Sequence, residues 1–254
     1  MKQMSTQIKW IFFLLILSLI IQTFTNCSKA NDGPEGDDRG TPQPGYLTGT
    51  VKDQAGNPLQ GVHILVDHSI FFNSNLSTYT DAEGRYKIKV PNGSWYAFAM
   101  HDVSYQGNTF SLYLHPENPA GFGAEAGVRN FVWKLSGTMP QPLSGIYGGW
   151  VTIDNFPGVY IEETAIDFVF TPVGPLIDGS AGEVIRRRAE DAHNIKDIPI
   201  GRYQLTATYE GRPVKFRAWN SDAEFRETYD LQFKPQIAQQ CDNCAMVEYY
   251  WEPL

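Results

Sequence analysis

Cys241 and Cys244, in CDNCAMVEYYW, are the residues best placed by type and spacing to do chemistry. A C-x-x-C pair can close a disulfide, run thiol exchange, or supply half of a zinc site. Thiol exchange needs the first Cys at a helix N-terminus, where its pKa falls, yet a strand-like run follows here. Zinc needs two further ligands, and the five histidines (His63, His68, His101, His115 and His193) are scattered among strands and loops. The expectation is a disulfide that staples a tight turn in an oxidising compartment, with no metal and no cofactor. Glu162 and Glu163 are adjacent; on a strand they would face opposite ways and read as solvent charges. No HxxE, HExxH, Gly-x-Ser-x-Gly or phosphate-loop pattern occurs. The chain therefore reads as no enzyme.

Binding offers more candidates. Trp95, Trp133, Trp150, Trp219 and Trp251 raise carbohydrate stacking, set against core packing, the commoner use of Trp in sandwiches. Loop 115–128, HPENPAGFGAEAGV, is long for a strand connection and is the first expected contact surface. HSIFFNSNL, 68–76, is the second.

The elements that must carry these residues begin with a leader. Lys2 and Lys9 precede an apolar run, Trp10 to Leu17 and on to Ile21, then QTFTN and Cys27. A basic start, a short apolar core and a processing zone mark a signal peptide, and the run is short of the roughly 20 residues of a membrane span. The lone Cys27 after that core resembles the lipobox of bacterial lipoproteins, with Thr25 matching and Asn26 standing where the family has Gly or Ala. The resemblance implies removal of residues 1–26 and lipidation of Cys27, hence a membrane partner. Residues 27–45 are polar and rich in Gly and Pro, and read as a flexible acidic tether. Acidic residues near the lipid Cys resemble surface-export signals of Bacteroidetes lipoproteins, although Lys29 is followed by Ala30 and Asn31. The formal charge of −8 becomes two units more negative once Lys2 and Lys9 are removed. That argues against nucleic acid, which needs clustered cations; RRR at 186–188 reads as a solvated strand or loop.

Beyond the tether the period is two. In RYKIKVP, Tyr86, Ile88 and Val90 alternate with Arg85, Lys87 and Lys89, as on a sheet with one wet face. YLTGTVK, GVHILVD, STYT, SWYAFAM, TFSLYLH and RNFVWKL complete about seven strands over 46–135. Two packed layers bury such faces, so the expected fold is all-β and a β-sandwich. The residues Gly49, Val51 and Asp53, then Gly56, Pro58, Leu59, Gly61 and Val62, then Thr80, Asp81, Gly84, Tyr86, Val90 and Pro91 resemble the carboxypeptidase regulatory-like domain. That resemblance implies a transthyretin-like sandwich whose contribution is stability or contact. Transthyretin-related hydrolases end in Tyr-Arg-Gly-Ser, whereas this chain ends WEPL.

SGTMPQPLSG, 136–145, reads as a linker, and 146–254 as a second β-sandwich-like domain. IPIGRYQLTATYEG at 198–211 echoes VPNGSWYAFAMHDVSYQG at 90–107. No Thr-Asp-x-x-Gly-x-Tyr block precedes the echo, so the pattern leaves open whether the second domain duplicates the first. GEVIRRRAEDA also has the composition of a short helix. The expectation as a whole is an all-β lipoprotein of two sandwiches at the outer membrane, facing periplasm or cell surface. It would bind or organise another envelope protein, or a glycan, without catalysis.

Overall fold

The computed structural model describes residues 43–252 apart from 124, 126, 192 and 238–240. Cys27, the leader and the tether up to residue 42 lie outside the described residues. Every long element is a strand, and the described residues contain no helix long and apolar enough to cross a membrane.

The first set of strands makes two layers. One has the order β4 (Arg85–Lys89), β1 (Tyr46–Lys52), β9 (Phe131–Val132), β7 (His115–Pro116), with β8 (Gly127–Val128) also beside β1. The other has the order β3 (Asn75–Tyr79), β2 (His63–His68), β5 (Trp95–Tyr105), β6 (Asn108–Tyr113). β1 runs antiparallel to β4 and parallel to β8 and β9. The alternation read from the sequence is met: Leu47, Val51, Val62, Ile64, Val66, Tyr86 and Phe110 are buried between the layers. Each such side chain, fully removed from water, contributes about 1.5–3 kcal/mol.

The resembling residues turn out to be closures. The Asp53 carboxylate accepts from the Asn57 amide at 2.8 Å and so shapes the β1–β2 turn. Thr80, buried, donates to the Leu59 carbonyl at 2.6 Å and accepts from the Val62 amide at 2.9 Å. Asp81 Oδ1 accepts from the amides of Glu83 and Arg85 at 3.0 and 2.8 Å. Gly84 has φ of +70°, and a Cβ there would lie 2.5 Å from the Val51 carbonyl oxygen. Tyr86 reaches over Gly49 of the neighbouring β1 and donates to the Arg129 carbonyl at 2.5 Å. Each of these side chains bonds main chain at a turn or strand end, and the bonds of Thr80 to Val62 and of Tyr86 to Arg129 satisfy groups that would otherwise be buried unpaired.

The second set repeats this plan. β13 (Asn194–Ile198), β10 (Gly149–Asn155) and β18 (Cys241–Tyr250) form one layer, with β10 antiparallel to β13 and parallel to β18. β12 (Ile185–Arg187), β11 (Asp167–Pro172) and β14 (Arg202–Tyr209) form the other. β15 (Arg212–Ala218) belongs to both: its first half pairs with β14 and its second half with β18. In the first set, β6 pairs with β5 and the chain then crosses at Leu114 to become β7 against β9. The strand orders β4-β1-β9 with β3-β2-β5-β6 and β13-β10-β18 with β12-β11-β14-β15 are therefore the same. The second set adds an insert, β16 (Tyr229–Gln232) on β14 and β17 (Lys234–Ile237) on β18.

The echo noted in the sequence falls on equivalent places. Trp95 Nε1 donates to the Pro91 carbonyl at 3.1 Å, and the Tyr203 hydroxyl donates to the Pro199 carbonyl at 2.7 Å. Both aromatics start the central strand of their layer and are buried. Gln106-Gly107 and Glu210-Gly211 turn the following hairpins with positive φ at both residues, the geometry that matches strand twist in two-residue loops. The second set is thus a topological repeat of the first, a point the sequence left open.

One expectation is corrected. GEVIRRRAEDA forms no helix: Ile185–Arg187 is a strand, with Ile185 opposite Phe170. Pairing on an open edge overrides helix propensity, which is a weak prior. Segment 136–145, read as a linker, folds back on itself: Met139 N bonds to the Gly145 carbonyl, and Tyr147 N to the Gly137 carbonyl. Asp197 on β13 fastens it by accepting from the amides of Gly137 and Gly148 at 2.7 and 3.1 Å.

Candidate functional site

One end of the first sandwich carries a run of three exposed apolar side chains. The β2–β3 loop presents Ile70, Phe71 and Phe72 at 78%, 65% and 100% exposure. The loop is organised from below. His68 Nδ1 accepts from the amides of Ile70 and Phe71 at 3.1 and 3.2 Å, which puts the ring proton on Nε2. The His68 ring contacts Phe71 and Trp95, each at 4.6 Å between centroids. Ser69 N bonds to the Ser94 carbonyl at 2.8 Å, tying the loop to the β4–β5 connection.

Loop 115–128, the first expected contact surface, is pinned to the sandwich at its middle. Trp95 and Phe122 exchange two backbone hydrogen bonds at 2.9 Å, and Phe122 is buried. Arg129 lies 5.0 Å from the Phe122 ring and donates to the Ala120 carbonyl at 3.1 Å. Phe122 and Arg129 anchor the loop to the layer edge, while Glu117, Asn118 and Ala120 stay exposed. The exposed apolar side chains lie on the second expected stretch, 68–76.

Cys241 and Cys244 are disulfide-bonded with Cα atoms 6.0 Å apart, both within strand β18. Among the described residues no three His, Cys, Asp or Glu side chains converge to hold a metal ion. The histidines are dispersed: His63 stacks on Tyr79, His101 meets Trp133, and His115 Nδ1 lies 3.0 Å from the Tyr147 hydroxyl. Trp95, Trp133 and Trp251 are buried, Lys196 sits 5.1 Å over Trp150, and Trp219 donates to Asp154 at 3.3 Å. These five rings are used in packing and pairing and make no shared flat surface. RRR runs along the exposed β12 edge, and Arg188 pairs with Asp167 at 2.7 Å.

Two features of the second sandwich escaped the sequence. An open groove of about 500 Å³ lies over β14, β15 and β16, lined by Arg202, Arg217, Arg226, Glu224 and Asp230 among others. Arg202 holds Asp230 by two bonds, at 2.7 and 2.9 Å, and Arg217 holds Glu248 at 2.6 Å while lying 4.5 Å over Phe225.

The other feature is Glu163. It sits in a 3-10 turn, Glu163–Ala165, not on a strand, and is 7% exposed, which corrects its reading as a solvent charge. Its carboxylate accepts from the Tyr249 hydroxyl at 2.9 Å and lies 3.1 Å from His193 Nδ1. Burial holds the Glu163 carboxyl above the usual glutamate range; Tyr249 and His193 oppose this, while Asp154 and Glu162 add to it. The folded state then binds this proton more tightly than the unfolded state, so stability falls as pH rises from about 4.5 upward. Glu163→Gln keeps an acceptor for Tyr249 and removes the titration. Thermal melts between pH 4 and 8 should show a flatter profile for the variant; parallel profiles exclude the effect.

The fold and its surface define a tandem β-sandwich protein whose motif residues build turns. Residues 46–122, within the first sandwich, match the carboxypeptidase regulatory-like domain family. The match stops short of β9, the strand that completes the β1 layer.

No curated protein matches the chain. Among solved structures, the Bacillus anthracis TIE protein aligns with TM-score 0.29 and 14% identity, over 81% of this chain. This chain spans 34% of that protein's length. A C-terminal fragment of the pilus adhesin SpaC from Lactobacillus rhamnosus GG aligns with TM-score 0.26 and 12% identity, over 84% of this chain and 100% of the fragment. A single B repeat of the collagen-binding surface protein of Staphylococcus aureus aligns with TM-score 0.23 and 10% identity, over 82% of this chain and 97% of the repeat.

Proposed function

We propose that the chain is a non-catalytic binding or structural module of the bacterial outer membrane, held by lipid on Cys27, with sandwich domains at 46–135 and 146–254. The observation that carries the reading is where the motif residues are spent. Thr80, Asp81 and Tyr86 all bond to main chain. What remains outward is contact surface, foremost the apolar tip at Ile70–Phe72. A domain built this way presents a shape and does not turn over a substrate. The leader and lipobox resemblance supply the location, and several acyl chains at about 0.8 kcal/mol per buried methylene would hold it there.

Growth with radioactive palmitate tests the anchor. The wild-type chain is expected to take up label and to fractionate with outer membranes, and Cys27→Ala to lose both. A wild-type chain without label, or a Cys27→Ala chain that keeps it, overturns the anchoring.

A further inference from the structure

The apolar tip and the point where the chain enters the first sandwich lie at the same end of it. Tyr46, the first residue of β1, pairs with Lys89 near the end of β4. Val90 N bonds to the Gly45 carbonyl at 2.9 Å, and the chain then passes through Pro91–Ser94 to Trp95, which pairs with His68. A Cβ on Gly93 would lie 3.0 Å from His68 Nε2, so this connection touches the base of the tip. At the opposite end of β5, the Tyr105 hydroxyl donates to the Pro175 carbonyl of the second sandwich at 2.8 Å. The tip thus points away from the second sandwich, at the end where β1 begins.

Two further facts concern what the tip can meet. From Ser69 to Thr80 the chain carries no Asp, Glu, Lys, Arg or His. Charged side chains are what make insertion into hydrocarbon expensive, and a tip of Ile and two Phe in a polar, uncharged setting has none to desolvate. The residues between Cys27 and Gln43 span at most about 55 Å even when fully extended. A lipid on Cys27 therefore keeps the entry end within reach of the bilayer.

We infer that Ile70, Phe71 and Phe72 form a membrane-inserting finger, a second contact with the bilayer that carries the lipid. The finger orients the first sandwich entry end down and holds the second sandwich away from the surface. The inference rests on the reading of Cys27 as lipid-bearing, and its test separates the two. Phe72 is fully exposed, so replacing it leaves the fold intact.

Phe72→Cys is labelled with an environment-sensitive dye in the full chain, Cys241 and Cys244 being paired. The lipidated protein is reconstituted into vesicles of phosphatidylethanolamine and phosphatidylglycerol. Thr109→Cys, exposed beside the β5–β6 turn at the far end, is the control. The expected result is a blue-shifted emission at position 72, quenched several-fold by nitroxides on lipid acyl chains, with neither effect at 109. Equal, water-like emission at both positions overturns the finger. A blue shift without lipid quenching also overturns it, because the tip is then covered by protein. Absence of palmitate on Cys27 defeats the anchoring reading instead. In that case the same dye measurement, made in a Cys27→Ala background with added vesicles, still decides the finger.

Discussion

Gly49→Ala lowers the melting temperature of the first sandwich by about 12 °C or more, the effect of roughly 3 kcal/mol on a domain of this size. Gly49 lies on β1 opposite Tyr86 on β4. A Cβ at this position would lie 1.9 Å from the Arg129 carbonyl oxygen and 2.8 Å from the Tyr86 ring. Neither neighbour can give way freely. The Arg129 carbonyl belongs to the segment that pairs parallel with β1, and its amide bonds to the Thr48 carbonyl at 2.9 Å. The same carbonyl accepts the Tyr86 hydroxyl, so pushing it away leaves a buried hydroxyl without its partner, a penalty of about 1–3 kcal/mol on its own. Lys52→Ala, exposed on the same strand, should leave the melt unchanged. A Gly49→Ala chain melting within 2 °C or so of wild type would show that the β1 layer is far softer than its packing implies.

The second large effect is expected at Phe216→Ala, at about 3–5 kcal/mol. Phe216 is fully buried at the place where β15 leaves β14 and joins β18. Its ring lies 6.1 Å from Phe168 on β11, so it packs against the opposite layer as well. Its backbone also exchanges hydrogen bonds with Arg226, at 2.7 and 2.9 Å. Truncation therefore opens a cavity at a joint that both layers share, where collapse of one wall would break pairing in the other. Denaturant melts should show a lower midpoint with an unchanged slope. Gln204→Ala, exposed on β14, is the matched surface control. A loss below about 1 kcal/mol would mean that the joint relaxes to fill the void.

The two sandwiches reach one topology by different local means. In the first, a run of motif residues closes the turns between neighbouring strands, so the plan is visible in a short stretch of chain. In the second, Asp197 takes a positive φ of 60° and accepts from amides on the 136–148 segment about 50–60 residues away. The disulfide at Cys241–Cys244 staples the start of β18 beside β17. The inserted β16–β17 strand crosses between layers at Phe233, which packs on Tyr203. What the echo preserves is the Pro-x-Gly corner and the two-residue turn, because both depend on residues within a few positions of each other.

The sequence by itself determined what acts over short range. Alternating side chains placed one face of each strand in the core, Gly84 and Thr80 marked their turns, and the paired cysteines read as a staple. Tertiary structure alone decided the rest, since its causes lie far apart along the chain. Gly49 is small because of Arg129, eighty residues on. Glu163 is buried because a 3-10 turn tucks it beneath Tyr249. Arg186 and its neighbours form a strand because Ile185 finds Phe170 across an open edge. The Ile70–Phe72 run reads as core or as contact until the fold shows that no layer covers it.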